Sequence, residues 1–266
     1  MSGSHRESKV VIITGASSGI GKGLAVHYAT HGYRVGLIAR RVNALTQLKS
    51  SLNSNLQENV MCVGCDVADK AHLFNAIKSI ITKWGRVDIL IANAGIGIAS
   101  PAYNAPSDIL SLTFNVNVLG AANAAYAVIP QMIAQKSGQI IGISSLAAYR
   151  GQPEAGIYCA SKSALTTLFE SMRLDLKQFG ISVSIIKPGF IKTPLTDRNE
   201  FYMPFLISVE KAVRLITRII EKKQAIASFP APLAILARSL YFWPVWLYDW
   251  CFSGRRNRKK DPELNV

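Results

Sequence analysis

The chain has 266 residues, 49% of them apolar, and a formal net charge of +14. This length suits one large α/β domain, the apolar fraction is enough for a full core, and there is no low-complexity tract or internal repeat. The positive charge favours an anionic partner, such as acidic lipid or a phosphate-bearing cofactor, whereas nucleic acid is not expected because no zinc-finger spacing or other nucleic-acid motif is present.

Apolar, β-branched runs alternate along the chain with segments of helical periodicity. Seven strands are predicted, at Val10–Thr14, Arg34–Ala39, Val60–Gly64, Val87–Ala92, Gly138–Ser144, Ile181–Lys187 and Ala225–Ser228. Helices are predicted between them, at Gly19–His31, Val42–Leu52, Lys70–Trp84, Pro106–Gln135, Ile157–Phe179 and Ser208–Lys222. Strands that are apolar throughout are buried on both faces. The order predicts an α/β fold of the Rossmann-like, doubly wound type, a mostly parallel seven-stranded sheet with helices on both faces, in one domain at 1–229 with a C-terminal extension at 230–266.

A glycine-rich turn follows the first strand, where residues 14–21 read T-G-A-S-S-G-I-G. Between a strand and a helix, such a turn lets the backbone approach a pyrophosphate, and the helix N-terminus offers free N–H groups. The spacing is G-x-x-x-G-x-G and not the commoner G-x-G-x-x-G, so the turn alone leaves a purely structural role open. The predicted cofactor contacts here are Gly15, Ser17, Ser18, Gly19, Ile20 and Gly21.

The second strand ends at Arg40 and Arg41, where a carboxylate would bind the ribose hydroxyls of NAD. A guanidinium can instead bind a 2′-phosphate with a fork of donors. The pair therefore predicts NADP(H) as cofactor, with Arg40 favoured as the phosphate ligand. The alternative is that the two arginines only begin a solvated helix.

Tyr158 and Lys162 are four residues apart at the start of a long helix, so they share a helix face. In a pocket the ammonium would act on the phenol, whereas on a water-exposed face the pair would have no role. No metal site is expected, because no Cys or carboxylate completes the pair His27 and His31. The C-x-x-C at residues 62–65 follows a strand pattern and is interpreted as buried thiols in a reducing compartment.

Taken together, the motifs resemble those of the short-chain dehydrogenase/reductase family over roughly residues 9–228. The turn at 14–21 is similar to that family's T-G-x-x-x-G-x-G, and Tyr158 and Lys162 match its Y-x-x-x-K. Asp66 matches the family's aspartate near the adenine, and Asn93, Ala94 and Gly95 match its N-A-G. Asn117 and Ser145 match its catalytic asparagine and serine. Pro188, Gly189 and Thr193 match its P-G-x-x-x-T.

The resemblance implies a role for each catalytic residue. Tyr158 is the general acid in reduction or base in oxidation, and nearby positive charge is expected to lower its pKa from about 10. Lys162 holds the nicotinamide ribose, and Ser145 polarises the substrate oxygen. Asn117 binds a water that relays protons to Lys162, stabilises a kink in its helix, or does both. The cofactor contacts implied beyond the turn are Asp66, Val67, Asn93, Ala94, Gly95, Tyr158, Lys162, Pro188, Gly189, Ile191 and Thr193.

The C-terminal extension is rich in aromatic residues, and Trp243, Trp246 and Trp250 are three of the chain's four tryptophans. Pro244 and scattered charges interrupt it, so it does not predict a single membrane-spanning helix. Trp and Tyr favour lipid headgroups, and five basic side chains follow at Arg255, Arg256, Arg258, Lys259 and Lys260. Either the extension lies on a membrane surface, or its aromatics pack on the enzyme's own core or across a dimer.

The expected function is an NADP(H)-dependent oxidoreductase that interconverts a ketone or aldehyde and an alcohol. An apolar, lipid-like substrate is expected, such as a long-chain carbonyl, a 3-keto lipid or a steroid. The alternatives are a soluble, broad-range carbonyl reductase and a non-catalytic NADP(H)-sensing module. The resemblance implies a homodimer or homotetramer. The N-terminus lacks the apolar stretch of a signal peptide, which favours the cytoplasmic side, with peripheral membrane contact.

Overall fold

A computed structural model describes residues 8–197 and 202–253 of the chain. Its strands form one seven-stranded sheet in the order β3-β2-β1-β4-β5-β6-β7, and neighbouring strands are parallel throughout. The strands are β1 Val10–Thr14, β2 Arg34–Ala39, β3 Val60–Gly64, β4 Ile89–Ala92, β5 Gly138–Ile143, β6 Ile181–Pro188 and β7 Ile226–Phe229. The predicted Rossmann-like, doubly wound sheet is confirmed.

Helices connect the strands and continue past the sheet. They are α1 Gly19–Thr30, α2 Val42–Ser50, α3 Ser54–Gln57, α4 Lys70–Trp84, α5 Ile109–Phe114, α6 Ala121–Gln135, α7 Gly156–Leu176, α8 Val209–Glu221, α9 Ala231–Ser239 and α10 Val245–Ser253. Single 3₁₀ turns lie at Leu146–Ala148, Lys177–Phe179 and Leu240–Phe242. The predicted helices are present with ends that differ slightly, except that Pro106–Gln135 is divided; α3, α9, α10 and the 3₁₀ turns at 146–148 and 240–242 were not predicted.

Both faces of the sheet are covered, because successive side chains of a strand point to opposite faces. In β1, Val11 and Ile13 pack with α1, α2 and α8, whereas Val10 and Ile12 pack with α4, α6 and α7. Two apolar layers therefore enclose a sheet whose strands are buried on both sides. This is the reason why the strands are recognisable in the sequence as unbroken apolar runs.

The predicted helix Pro106–Gln135 is not uniform. A π-helical turn at Asn115–Gly120 separates α5 from α6. Within the described part of the chain, the stretch Ile109–Gln135 is the one helix long and apolar enough to cross a membrane. It lines the core through residues such as Val128 and Met132, as expected for a core helix of this fold.

The sheet order reverses between β1 and β4, which are neighbours although β2 and β3 lie between them in sequence. In doubly wound sheets the ligand crevice lies at the carboxyl ends of the strands at this point. The glycine-rich turn follows β1, Asn93 follows β4 and Ser145 follows β5. The fold thus brings the predicted site residues to one edge of the sheet.

Candidate active site

The turn after β1 is shaped by the close approach of other backbone. Gly15 has φ +68°, and a Cβ there would lie 2.8 Å from the Cα of Ala94. Gly19 has φ +53°, and a Cβ there would lie 3.1 Å from Cγ2 of Thr193. Only glycine avoids both the left-handed strain and the close contact. A molecule bound at this turn therefore also meets the end of β4 and the loop after β6.

The N-terminus of α1 suits an anion. Ser18 is its N-cap residue with extended backbone, but its side chain makes no capping hydrogen bond, and the first turn contains no acidic residue. The first N–H groups of a helix lack intrahelical acceptors and carry the positive end of its dipole. The residues present fit the pyrophosphate of the dinucleotide that the sequence predicts.

Arg41 reaches this turn from the end of β2. Its Nη2 donates to the hydroxyls of Ser17, at 3.1 Å, and Ser18, at 2.9 Å. Arg40, the residue that the sequence analysis favoured, instead lies 3.7 Å from the carboxylate of Asp66 in an exposed ion pair. Arg41 is therefore the arginine in direct contact with the cofactor turn, whereas Arg40 pairs with Asp66.

Asn93 holds the end of β4 against the turn. Its Nδ2 donates to the carbonyl oxygens of Thr14, at 3.0 Å, and Gly15, at 3.3 Å. The hydroxyl of Thr14 in turn accepts from the backbone N–H groups of Asn93 and Ala94. These bonds fix the floor of the crevice, and the contact of Asn93, Ala94 and Gly95 with a cofactor stays a prediction.

Helix α7 brings Tyr158 and Lys162 together in the crevice. Lys162 is buried, its Nζ donates to the carbonyl of Ile143 at 2.9 Å, and it lies 5.8 Å from the centre of the Tyr158 ring. Ser145, at the end of β5, forms a side-chain hydrogen bond with Tyr158. The pair does not lie on a water-exposed face, which was the alternative that the spacing left open.

Asn117 lies in the π-helical turn and is fully buried. Its Oδ1 accepts from the N–H of Ile96 at 2.8 Å, and its Nδ2 donates to the carbonyl of Ile96 and to the hydroxyl of Ser161. A Cβ on Gly95 would lie 3.3 Å from both Asn117 Oδ1 and Lys162 Nζ. The asparagine is thus bonded into the irregular turn and adjacent to Lys162; a water relay between the two stays a prediction.

Burial is the main cause of the pKa shifts of Tyr158 and Lys162. It raises the pKa of the Tyr158 phenol, and the hydrogen bond from Ser145 acts in the opposite direction. Burial lowers the pKa of Lys162 to about 8. The sequence predicts a lowered pKa for Tyr158, whereas its pKa in the structure is raised. Burial disfavours the charged phenolate, and this effect is larger than that of the hydrogen bond with Ser145. A phenol that keeps its proton at neutral pH suits a general acid.

The loop after β6 borders the same crevice. A Cβ on Gly97 would lie 3.4 Å from Cδ2 of Tyr158 and 3.7 Å from Cδ1 of Leu195. A Cβ on Gly189 would lie 2.8 Å from Cδ2 of Leu233 in α9. Tyr158 therefore has an apolar neighbour from this loop, and the C-terminal helix α9 packs against the start of the same loop.

The remaining predicted contacts differ in what they can offer a cofactor. The side chain of Ile191 is buried in the core, and that of Val67 is buried against Gly120. Asp66 Oδ1 accepts from the N–H of Ala68 at 3.0 Å. Ile191 and Val67 can therefore reach a cofactor only through their backbone. The contacts of these residues, and of Pro188 and Thr193, stay predictions.

The model of the family described as "short chain dehydrogenase" matches residues 9–201. The chain belongs to this family. A protein of Myxococcus xanthus described as an uncharacterised oxidoreductase is 38% identical over 241 residues, which cover 91% of this chain and 95% of that protein. The short-chain dehydrogenase family comprises oxidoreductases, so the chain is an oxidoreductase by descent.

Solved structures of short-chain dehydrogenases share the fold. One from Burkholderia phymatum, in complex with NAD, has 24% identity and a TM-score of 0.80, covering 97% of this chain and 99% of its own. ElxO, solved with NADP bound, has 26% identity and a TM-score of 0.74, covering 83% of this chain and 96% of its own. Both nicotinamide cofactors therefore occur among proteins of this fold.

For two arginines of this short-chain dehydrogenase, the contacts in the structure are not those that the sequence favours or reveals. Arg41 was not placed on the cofactor turn, although its position after β2 was a signal. Arg150 was not singled out at all: its Nη1 donates to the carbonyls of Leu240 and Trp243, and its guanidinium lies 3.7 Å from the centre of the Tyr248 ring. No local pattern could have found these bonds, because they join distant parts of the chain.

Two other expectations concern groups outside the site. Within residues 8–197 and 202–253, no cluster of three or more His, Cys, Asp or Glu side chains is placed to hold a metal ion. Cys62 and Cys65 are free, and burial raises the pKa of both thiols. The basic run predicted to contact lipid, at residues 255–260, lies outside the described residues.

Proposed function

We propose that this short-chain dehydrogenase is an NADP(H)-dependent enzyme that reduces an apolar ketone or aldehyde to the alcohol. The observation that supports it most is the meeting of Ser145, Tyr158 and Lys162 at the crevice, next to a turn fitted to a dinucleotide. A binding module would not need a buried ammonium beside a phenol, because burying a charge is costly.

The chain's own residues provide the acid–base part of the reaction. A bound nicotinamide cofactor supplies the hydride. Ser145 donates a hydrogen bond to the substrate carbonyl oxygen, and Tyr158 gives that oxygen a proton as charge develops on it. The positive charge of Lys162 stabilises the phenolate that remains. The raised pKa of Tyr158 keeps the phenol protonated at neutral pH, as its role as general acid in the reduction requires.

The preference for NADP(H) over NAD(H) rests on the two arginines after β2. Arg41 contacts Ser17 and Ser18 at the cofactor turn, and Arg40 is exposed beside it. A 2′-phosphate between them would receive charge-assisted hydrogen bonds from planar donors. Asp66 is the nearby acid, and its pairing with Arg40 reduces its repulsion of a phosphate.

An apolar substrate is supported by exposed apolar side chains in the segments that follow β4 and β6. Leu195, Phe205 and Leu206 are exposed apolar residues in the segment after β6, and Ile98 is exposed after β4. We infer a long-chain carbonyl, 3-keto lipid or steroid-like compound as substrate. A homodimer or homotetramer on the cytoplasmic side of a membrane completes this proposal.

The test is turnover by the purified chain with NADPH or NADH and a series of carbonyl compounds of increasing chain length. NADPH should be consumed faster than NADH, and long apolar carbonyls should give the higher kcat/KM. Tyr158→Phe should lower kcat at least about 100-fold and leave NADPH binding intact, because it removes only the proton donor. Tyr103→Phe, which changes an exposed tyrosine, is the matched control.

Each possible result supports a different conclusion about the function. Retention of activity in Tyr158→Phe would overturn the proposed mechanism. A preference for short, soluble carbonyls would favour a broad-range carbonyl reductase. NADPH binding without turnover of any compound would favour the sensing module.

A further inference from the structure

The C-terminal helices present an exposed aromatic face. It comprises Tyr241, Phe242, Val245, Trp246 and Trp250, whose exposed fractions lie between 67 and 78%. Single exposed apolar residues are common on soluble proteins, but five large ones within ten residues form a patch of the kind that marks an interaction site.

The other side of the same segment is fixed to the enzyme. Tyr248 is buried, its hydroxyl donates to the carbonyl of Gly151, and its ring lies between Arg150 and Phe252. In α10, Trp246 and Trp250 are one turn apart, and each lies about 160° around the helix axis from the buried Tyr248, as the helical period requires. The enzyme therefore presents the aromatic face on an ordered support.

The chemistry of the aromatic face fits a lipid bilayer with anionic headgroups. Trp and Tyr are amphipathic and prefer the headgroup region. Arg238 and Asp249 are the only charged residues at 231–253, and a run of five basic residues begins at Arg255, close after Ser253. A second copy of a chain with net charge +14 would bring two such runs together, which costs free energy, whereas an anionic surface attracts them.

The segment is suited to lie on the bilayer and not to cross it. α9 and α10 have nine residues each, and Pro244 separates them. A nine-residue helix is roughly 14 Å long, less than half of the hydrocarbon thickness of about 30 Å. Segments that lie at a membrane–water interface combine aromatic residues on one side with basic residues nearby, as this sequence does.

We propose that the aromatic face docks on an anionic membrane surface and holds the active site beside it. Leu233 of α9 packs against Gly189, and Gly189 directly follows β6 at the crevice. Docking therefore places the entrance for an apolar substrate near the lipid. Only this last step rests on the proposed function.

The test is co-flotation of the full chain with vesicles, without cofactor or substrate. Vesicles of phosphatidylcholine mixed with phosphatidylglycerol should bind the chain, and vesicles of phosphatidylcholine alone should bind it more weakly. Trp246→Ser combined with Trp250→Ser should weaken binding at least about tenfold, because two rings leave the headgroup region. Tyr103→Ser combined with Tyr202→Ser removes aromatics that are 73 and 88% exposed elsewhere, and should leave binding unchanged.

Three results would overturn the docking surface. The first is vesicle binding by the Trp246/Trp250 variant that equals that of wild type, and the second is equal binding of wild type to both kinds of vesicle. The third is that wild type binds no vesicle, while the Trp246/Trp250 variant loses self-association in sedimentation. Thermal unfolding checks that the variants remain folded. Vesicle binding without any turnover would keep the docking surface and remove the proposed function.

The position of the active site is tested by activity with vesicles. Mixed vesicles should raise turnover of a long-chain carbonyl by wild type and not by the Trp246/Trp250 variant. Both proteins should reduce a short, soluble carbonyl equally. Vesicle binding that leaves long-chain turnover unchanged would overturn the step that links docking to the substrate entrance.

Discussion

Lys162 is an ammonium group enclosed by protein, with the Ile143 carbonyl as its hydrogen-bond acceptor. Burial lowers the pKa of Lys162 from 10.5 to about 8. A lowered pKa means that the folded state disfavours the charged form, by about 1.4 kcal/mol per pKa unit. The active site therefore holds this charge at a cost to stability of about 3 kcal/mol, as is common for catalytic groups.

We predict that Lys162→Met abolishes activity but stabilises the protein at pH 7. The gain should be about 2 kcal/mol, since the cost of the buried charge disappears while the hydrogen bond to Ile143 is lost. The folded-state pKa lies below the unfolded value, so the penalty is fully present below pH 8 and fades as pH rises toward 10.5. Thermal unfolding at pH 7 and pH 10 measures this. The exposed Lys78→Met is the control, and a Lys162→Met variant less stable than wild type at pH 7 would contradict the prediction.

At the residue scale, the sequence predicts which side chains meet but not their state of ionisation. The spacing of Tyr158 and Lys162 left a pocket and a water-exposed face both open, and only the family resemblance grouped them with Ser145. The direction of the Tyr158 pKa was not predictable, because it depends on how completely neighbouring elements exclude water. Which of Arg40 and Arg41 contacts the cofactor turn depends similarly on the backbone conformation between β2 and α2.

At the scale of elements, the C-terminal helices depend on one side chain from another part of the chain. Arg150, which precedes α7, donates to two carbonyls between α9 and α10 and stacks on Tyr248. Carbonyls at the end of a helix lack intrahelical donors. Arg150 supplies those donors and thereby joins the C-terminal helices to the loop that leads to Tyr158.

We predict that Arg150→Met loosens this junction. The free energy of unfolding should fall by about 2 kcal/mol, because charge-assisted hydrogen bonds and a cation–π contact are lost. Limited proteolysis should cut within 231–253 before the rest of the chain. Arg150→Lys should recover only part of the effect, since an ammonium cannot form the same fork. Arg238→Met, at an exposed arginine of α9, is the matched control, and equal melting temperatures for the Arg150 and Arg238 variants would contradict the role.

The helices also show where sequence patterns stop being informative. The apolar period through residues 109–135 predicts one continuous helix. A π-helical turn has hydrogen bonds that span one residue more than those of an α-helix, so it leaves the apolar pattern almost unchanged. The turn is recognisable only from the contacts of Asn117 with Ile96 and Ser161. Likewise, the C-terminal residues show no regular apolar period, and α10 forms because Tyr248 packs against Arg150, 98 residues away in sequence.

At the scale of the whole molecule, the cofactor crevice joins the two halves of the sheet. The turn and the two arginines follow β1 and β2, whereas Ser145, Tyr158 and Lys162 lie between β5 and β6 and the loop with Thr193 follows β6. This division was predictable, because unbroken apolar strands and the helices between them determine a doubly wound sheet. The placement of the C-terminal helices beside the crevice was not, since it depends on contacts far apart in sequence.

Because a dinucleotide would contact both halves, its binding should stabilise the whole fold. A ligand that binds only the folded state at 100 times its Kd adds about 2.7 kcal/mol to the free energy of unfolding. For a chain of this size, NADPH should therefore raise the melting temperature by roughly 5–10 °C, and NADH at the same concentration should raise it less. Arg41→Ala should remove most of the difference between the two cofactors, because Arg41 is the arginine that contacts the cofactor turn, and Arg40→Ala should remove a smaller part. An equal or larger shift with NADH in wild type would show that the arginines after β2 do not select the phosphate, and would leave the catalytic residues in place with NAD(H) as their cofactor.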